Sequence, residues 1–234
     1  MSRLFRNNRN LSLAAFSFLF AYLMSFLFEG RVLYSTIEAF GAQAESYIFT
    51  SIIAHFAGLF SCGYFIKAQR QAKRSMLIYM AVCLLATVPF FFAPSALWNF
   101  GLAVAGFAAG WAVAAWGFFL KAHTPKRERI KTCADVLICS NLLMIIINVI
   151  TEYTSHGIGI ILSMLCLIIG GVLTLPLPDE SEQSNETVQE PERAAIGSIK
   201  TPMLVLFLFV TIITIDSGLM YQVINPAFEH LTGL

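Results

Sequence analysis

Two acids and an arginine stand at the ends of apolar runs, where a membrane protein would handle charge. Glu29 and Arg31 occur in the stretch LFEGRVLY, and Asp216 follows the run MLVLFLFVTIITI. An ionisable group within a bilayer costs a few kcal/mol, so such groups usually face a cavity or a partner. A carboxylate in that setting can bind a proton or a cationic group. Glu29 and Arg31 can also be read as solvated charges at a helix end. Asp216, about 24 Å above Lys200 at the rise of an α-helix, is the stronger candidate for a functional acid. Asn141 and Asn148 lie seven apart and so share a helical face, with Glu152 one turn beyond. They could bind a polar solute, or make hydrogen bonds between helices, each worth about 1 kcal/mol or less. His55 is alone within an apolar run, which favours a buried neutral imidazole over a proton relay.

The elements that must position these residues are long and apolar. Hydrophobic residues make up 57% of the 234 and charged residues 12%, a balance that a soluble domain cannot bury. A membrane-crossing helix needs about 20 apolar residues. Seven runs approach that length, at 11–28, 46–66, 76–92, 97–120, 132–150, 158–175 and 202–221. They predict an all-α, polytopic helical bundle in a lipid bilayer. The first run follows Arg3, Arg6 and Arg9 but ends in no small-residue cleavage site, so it reads as a retained helix and not as a signal peptide.

Fourteen of the 15 Lys and Arg residues fall on one side of such a bundle, and only Arg31 falls on the other. The positive-inside rule then predicts a cytoplasmic N-terminus in the cell (plasma) membrane. The same rule explains the basic residues without nucleic acid. Cys62, Cys83, Cys133, Cys139 and Cys166 all lie in or beside apolar runs, which favours packing over a disulfide framework or a metal site.

The chain divides into a six-helix bundle at 1–175, a linker at 176–200 and a seventh span with a short tail at 201–234. The linker sequence PLPDESEQSNETVQEPERAAIGSIK is rich in Pro, Ser, Glu and Gln and lacks aromatics, a composition that cannot bury a core. Sliding the chain on itself by 187 residues pairs Glu29 with Asp216, Tyr34 with Tyr221, and Ile37 with Ile224. That register points to duplicated halves in which the first and seventh spans are equivalent. In the fourth run Gly106, Gly110, Ala114 and Gly117 are spaced 4, 4 and 3 apart, forming a stripe of small residues for close helix packing.

This layout resembles the N-terminal half of a major facilitator superfamily transporter followed by the first helix of the second half. The family's signature between its second and third helices is matched by Gly63 and by Arg70, Lys73 and Arg74, while Lys67 stands where the family has an Asp. The resemblance implies a secondary transporter of a small solute, with the first and seventh helices lining a central cavity. It makes Glu29, Arg31, Tyr34, Asn141, Asn148, Asp216 and Tyr221 candidates for solute or proton binding. Seven spans against the family's usual twelve suggest a fragment or a chain that works with a missing C-terminal half. The alternative is a transporter-like sensor half that signals to a cytoplasmic regulator. The sequence shows no P-loop, nucleophile elbow, metalloprotease motif or dinucleotide fingerprint, so neither an enzyme nor a cofactor is expected.

Overall fold

The computed structural model describes residues 8–28, 30–41 and 45–178. Every regular element among them is helical. The seventh span, Asp216, Tyr221 and Glu29 lie outside the described residues, as does the linker beyond Pro178.

Six spans are built from seven α-helices. The first span begins as α1 (Asn8–Tyr22), widens into a π turn (Leu23–Leu27), leaves the helix at Phe28 and, after the extended Gly30, resumes as α2 (Arg31–Ala39). The second to sixth spans are α3 (Glu45–Phe65), α4 (Gln69–Thr87), α5 (Ala96–His123), α6 (Arg129–Tyr153) and α7 (His156–Thr174). Five stretches are long and apolar enough to cross a bilayer, and α3 contributes a shorter apolar segment, Phe49–Phe65. The chain is a polytopic helical membrane protein.

Most helices extend beyond their apolar runs. Arg70, Lys73 and Arg74, which the hydropathy places in a connection, belong to the first turns of α4. Long basic side chains allow this, because they reach the polar interface while their backbone stays helical. Two helices start on serine caps, Ser95 accepting from the Leu97 amide and Ser155 from the Ile158 amide.

The apolar residues divide between two surfaces. One set fills a continuous interior that includes Tyr22, Phe26, Phe90, Trp98 and Phe119, all fully buried. Another set points outward, including Phe49, Ile53, Phe56 and Phe60 on α3 and Ile138, Leu142, Ile145 and Val149 on α6. In water the outward set would be costly, whereas in hydrocarbon it matches its solvent. The first span is the most buried of the five long ones and α6 the least.

Helix neighbours follow a pattern. The first span packs on the fifth and sixth, and the fourth packs on the second and third; the first also meets the fourth, and the third meets the sixth. Exchanging spans one to three with spans four to six leaves this set of pairs unchanged. The contact between α6 and α7 has no counterpart of similar extent between α3 and α4. An odd number of antiparallel spans per unit makes the two units run in opposite directions, the arrangement of an inverted repeat.

Polar contacts cluster at the two ends. At one end Arg9 bonds Glu128 and Thr132, Gln69 reaches His123, and Lys73 reaches the chain after α7. At the other end Arg31 pairs with Glu152 at 2.5 Å and Glu38 at 3.3 Å, while Phe40 packs edge-on against Trp98 and His156.

Candidate functional site

Geometry is most unusual where the first span breaks. The Phe28 amide donates to the Leu23 carbonyl at 2.7 Å, the five-residue spacing of a π turn. Gly30 then folds beneath that turn: a Cβ there would lie 1.8 Å from the Ser25 oxygen and 2.6 Å from the Met24 oxygen. Only a residue without a side chain can make this approach. Tyr34 sits on α2 one turn further on, its amide donating to the Gly30 carbonyl.

Widening the turn disturbs the regular backbone bonding, and neighbouring helices supply polar partners. Ser51 of α3 donates its hydroxyl to the Leu27 carbonyl at 3.1 Å. Ser25 shares a hydrogen bond with Ser163 of α7 at 3.1 Å. Tyr22 and Thr87 are linked at 2.9 Å; Thr87 donates to the Cys83 carbonyl, so the phenol is the donor in that link. These bonds tie the first span to α3, α4 and α7. Irregular backbone at membrane depth survives only where protein or a water-lined cavity satisfies it.

Two polar side chains, on helices that each touch the first span, have capacity to spare. The ring of His55 on α3 packs edge-on against Phe28, with centroids 4.7 Å apart, and lies beside the Gly106 carbonyl. Its Nδ1 is buried without a hydrogen-bond partner among the described residues. The same holds for Oδ1 of Asn148 on α6, a helix that also touches the π turn. Such orphaned atoms are uncommon in native proteins and call for an explanation. Trp111 Nε1 is a third, and it sits in an aromatic cluster with Phe65, Tyr79 and Phe107.

The remaining sequence candidates separate. Arg31 is committed to its ion pairs with Glu38 and Glu152. Asn141 donates to the Leu137 carbonyl of its own helix at 2.7 Å, so it and Asn148 share a face without sharing a partner. Gly106 and Gly110 meet the backbone of α3, where added Cβ atoms would lie 2.4 Å from the Ser51 oxygen and 2.1 Å from the His55 oxygen. Ala114 is half-buried, and Gly117 has open space around it.

Sequence reasoning missed Gly30, the π turn, Gly58 and the serines. A Cβ on Gly58 would lie 2.1 Å from the Phe107 oxygen, which makes this glycine the reciprocal half of the α3–α5 contact. Ser25, Ser51, Thr87 and Ser163 were visible as hydroxyls within apolar runs, but no spacing rule links residues on four different helices. In comparisons with protein-family models, curated proteins and solved structures, no match to this chain was found.

Proposed function

We propose that this bundle is a transporter half, which moves a small polar solute through the space beside its broken first span. The observation that carries the reading is the break itself. The most buried long span is interrupted at the π turn and Gly30, and His55 and Asn148 stand on helices that each touch it, with unused hydrogen-bonding atoms. Discontinuous helices near polar groups are a recurrent way of building solute sites in membranes, and π turns are often found at functional sites. The inverted pairing of spans supports the same reading, since many secondary transporters contain such repeats.

On this reading the chain is not an enzyme and needs no cofactor. It lies in the plasma membrane with its basic end cytoplasmic. It works with a second bundle that faces it, in the manner of the major facilitator superfamily. Glu29 and Asp216 supply proton coupling from equivalent positions, with Tyr34 and Tyr221 beside them.

Water access tests the reading. Starting from a chain with all five native cysteines replaced, His55→Cys, Asn148→Cys and Leu142→Cys are labelled in membranes with a charged methanethiosulfonate. The first two should react and the lipid-facing third should not. Protection of both His55→Cys and Asn148→Cys would show a dry, purely structural break and overturn the proposal. In an assembly that supports uptake, Asp216→Asn should abolish accumulation driven by a pH gradient while solute exchange persists, with Glu29→Gln weaker in effect.

A further inference from the structure

The break in the first span leaves a set of hydrogen-bond acceptors without donors. Leu27 ends a helical stretch that starts at Asn8, and Phe28 leaves it with extended backbone. A helix end strands its last carbonyls. The Leu23 carbonyl is taken by the Phe28 amide and the Leu27 carbonyl by the Ser51 hydroxyl. Among the described residues, no donor is bonded to the carbonyls of Ser25 and Phe26, and both residues are fully buried. Gly30 passes the Ser25 carbonyl with no side chain to cover it.

Two side chains add acceptors at this level. His55 lies one turn from Ser51 on α3, and its ring touches Phe28. A neutral imidazole has one N–H, and the Gly106 carbonyl takes it. Nδ1, buried and unpartnered among the described residues, is then a bare lone pair. On α6, Asn148 Oδ1 is in the same condition. Its height follows from the contacts that join α6 to the first span. Arg9 bonds Thr132 and Arg31 bonds Glu152, at separations of 123 and 121 residues. An offset between these values sets Asn148 level with Phe26.

We infer that the solute held at the break is a small organic cation whose ammonium group donates hydrogen bonds to these acceptors. The inference rests on the reading of the break as a solute site and adds the class of solute. A primary ammonium offers three N–H donors and no acceptor, which suits carbonyls, an imidazole lone pair and an amide oxygen. A carboxylate or phosphate would meet only lone pairs. The carbonyl end of the α1 stretch carries partial negative charge and favours a cation further. Unwound carbonyls and helix C-terminal ends hold cations in several transporter folds. Arg31, just beyond the break, does not compete, because Glu38 and Glu152 neutralise it.

The full chain, labelled with nitrogen-15 in its four histidines, provides the test in phosphatidylcholine nanodiscs. The His55 signals are those lost in His55→Gln. Nδ1 should resonate as a bare nitrogen and move toward the hydrogen-bonded value as propylammonium is added. Tetramethylammonium, which has the charge and no N–H, should leave it in place, as should propionate. Asn148→Leu should weaken propylammonium binding about tenfold, the usual worth of one hydrogen bond to a charged group. Asn148→Asp, which keeps an oxygen there, should bind at least as tightly as the parent. A proton on Nδ1 in the free protein overturns the inference, as does an unmoved signal, an equal response to tetramethylammonium or propionate, or unchanged affinity in Asn148→Leu. Any of these together with methanethiosulfonate labelling of His55→Cys and Asn148→Cys removes the cation and leaves the solute site standing. Protection of both cysteines removes the site itself.

Discussion

Gly110 shows what one missing Cβ does in this bundle. An added Cβ would lie 2.1 Å from the His55 oxygen, and that atom belongs to backbone, which cannot rotate away. Gly117, two turns further along the same helix, has open space around it. Gly110→Leu should therefore destabilise the protein by about 2 kcal/mol or more, at the upper end of overpacking costs. Gly117→Leu should stay within about 0.5 kcal/mol of the parent, as surface changes usually do. Thermal unfolding in detergent measures both, and equal melting temperatures would contradict the assignment of the contact. The sequence marked the two glycines alike because the spacing of small residues records a helix face. Where along that face another helix touches depends on the crossing, which a one-dimensional pattern does not contain. Gly58 makes the matching approach to α5, and it too lies in a row of small residues, Ser51, Ala54, Gly58 and Cys62, that the sequence reading passed over.

At the scale of elements, the first span carries the largest difference between sequence and structure. Hydropathy ends that span at Phe28, because Glu29, Gly30 and Arg31 interrupt the apolar run. The structure shows instead that helix resumes as α2 and carries Arg31 into the pair with Glu152. A π turn leaves no compositional trace, since it depends on which hydroxyls its neighbours offer. Five of the six described spans were legible as apolar runs with small errors at their ends, because lipid imposes length and polarity directly. Gly30→Ala tests the break. Its methyl would collide with the Ser25 and Met24 carbonyls, so α2 must shift relative to α6. A bifunctional thiol reagent should bridge Arg31→Cys and Glu152→Cys in the parent and lose most of that yield once Gly30→Ala is added. Unchanged bridging would show that the glycine is not required for the bend.

Across the whole molecule, the described spans pair as two three-helix units of opposite direction, yet only the first span is broken. Its counterpart, α5, runs without interruption from Ala96 to His123. The candidate site thus lies where the two units differ. The register that pairs Glu29 with Asp216 and Tyr34 with Tyr221 involves residues outside the described ones, apart from Tyr34. Membrane class and helix content were legible because they follow from bulk composition. The site was not, because it is assembled from single hydroxyls, one imidazole and one amide on separate helices.

The tight seam between α3 and α5 also has a consequence for how the protein is made. The ribosome delivers α3 to the membrane well before α5, with all of α4 emerging in between. During that interval Gly58 presents bare backbone to lipid, while His55 and Ser51 lack the Gly106 and Gly110 surface that later covers them. A half-made chain is therefore a better substrate for membrane quality control than its length suggests. Chains truncated at residue 92, after α4, should be degraded several-fold faster in pulse-chase experiments than chains truncated at residue 125. Gly110→Leu in the longer truncation should restore the fast rate. Equal lifetimes for all three would mean that α3 waits in the bilayer at no cost.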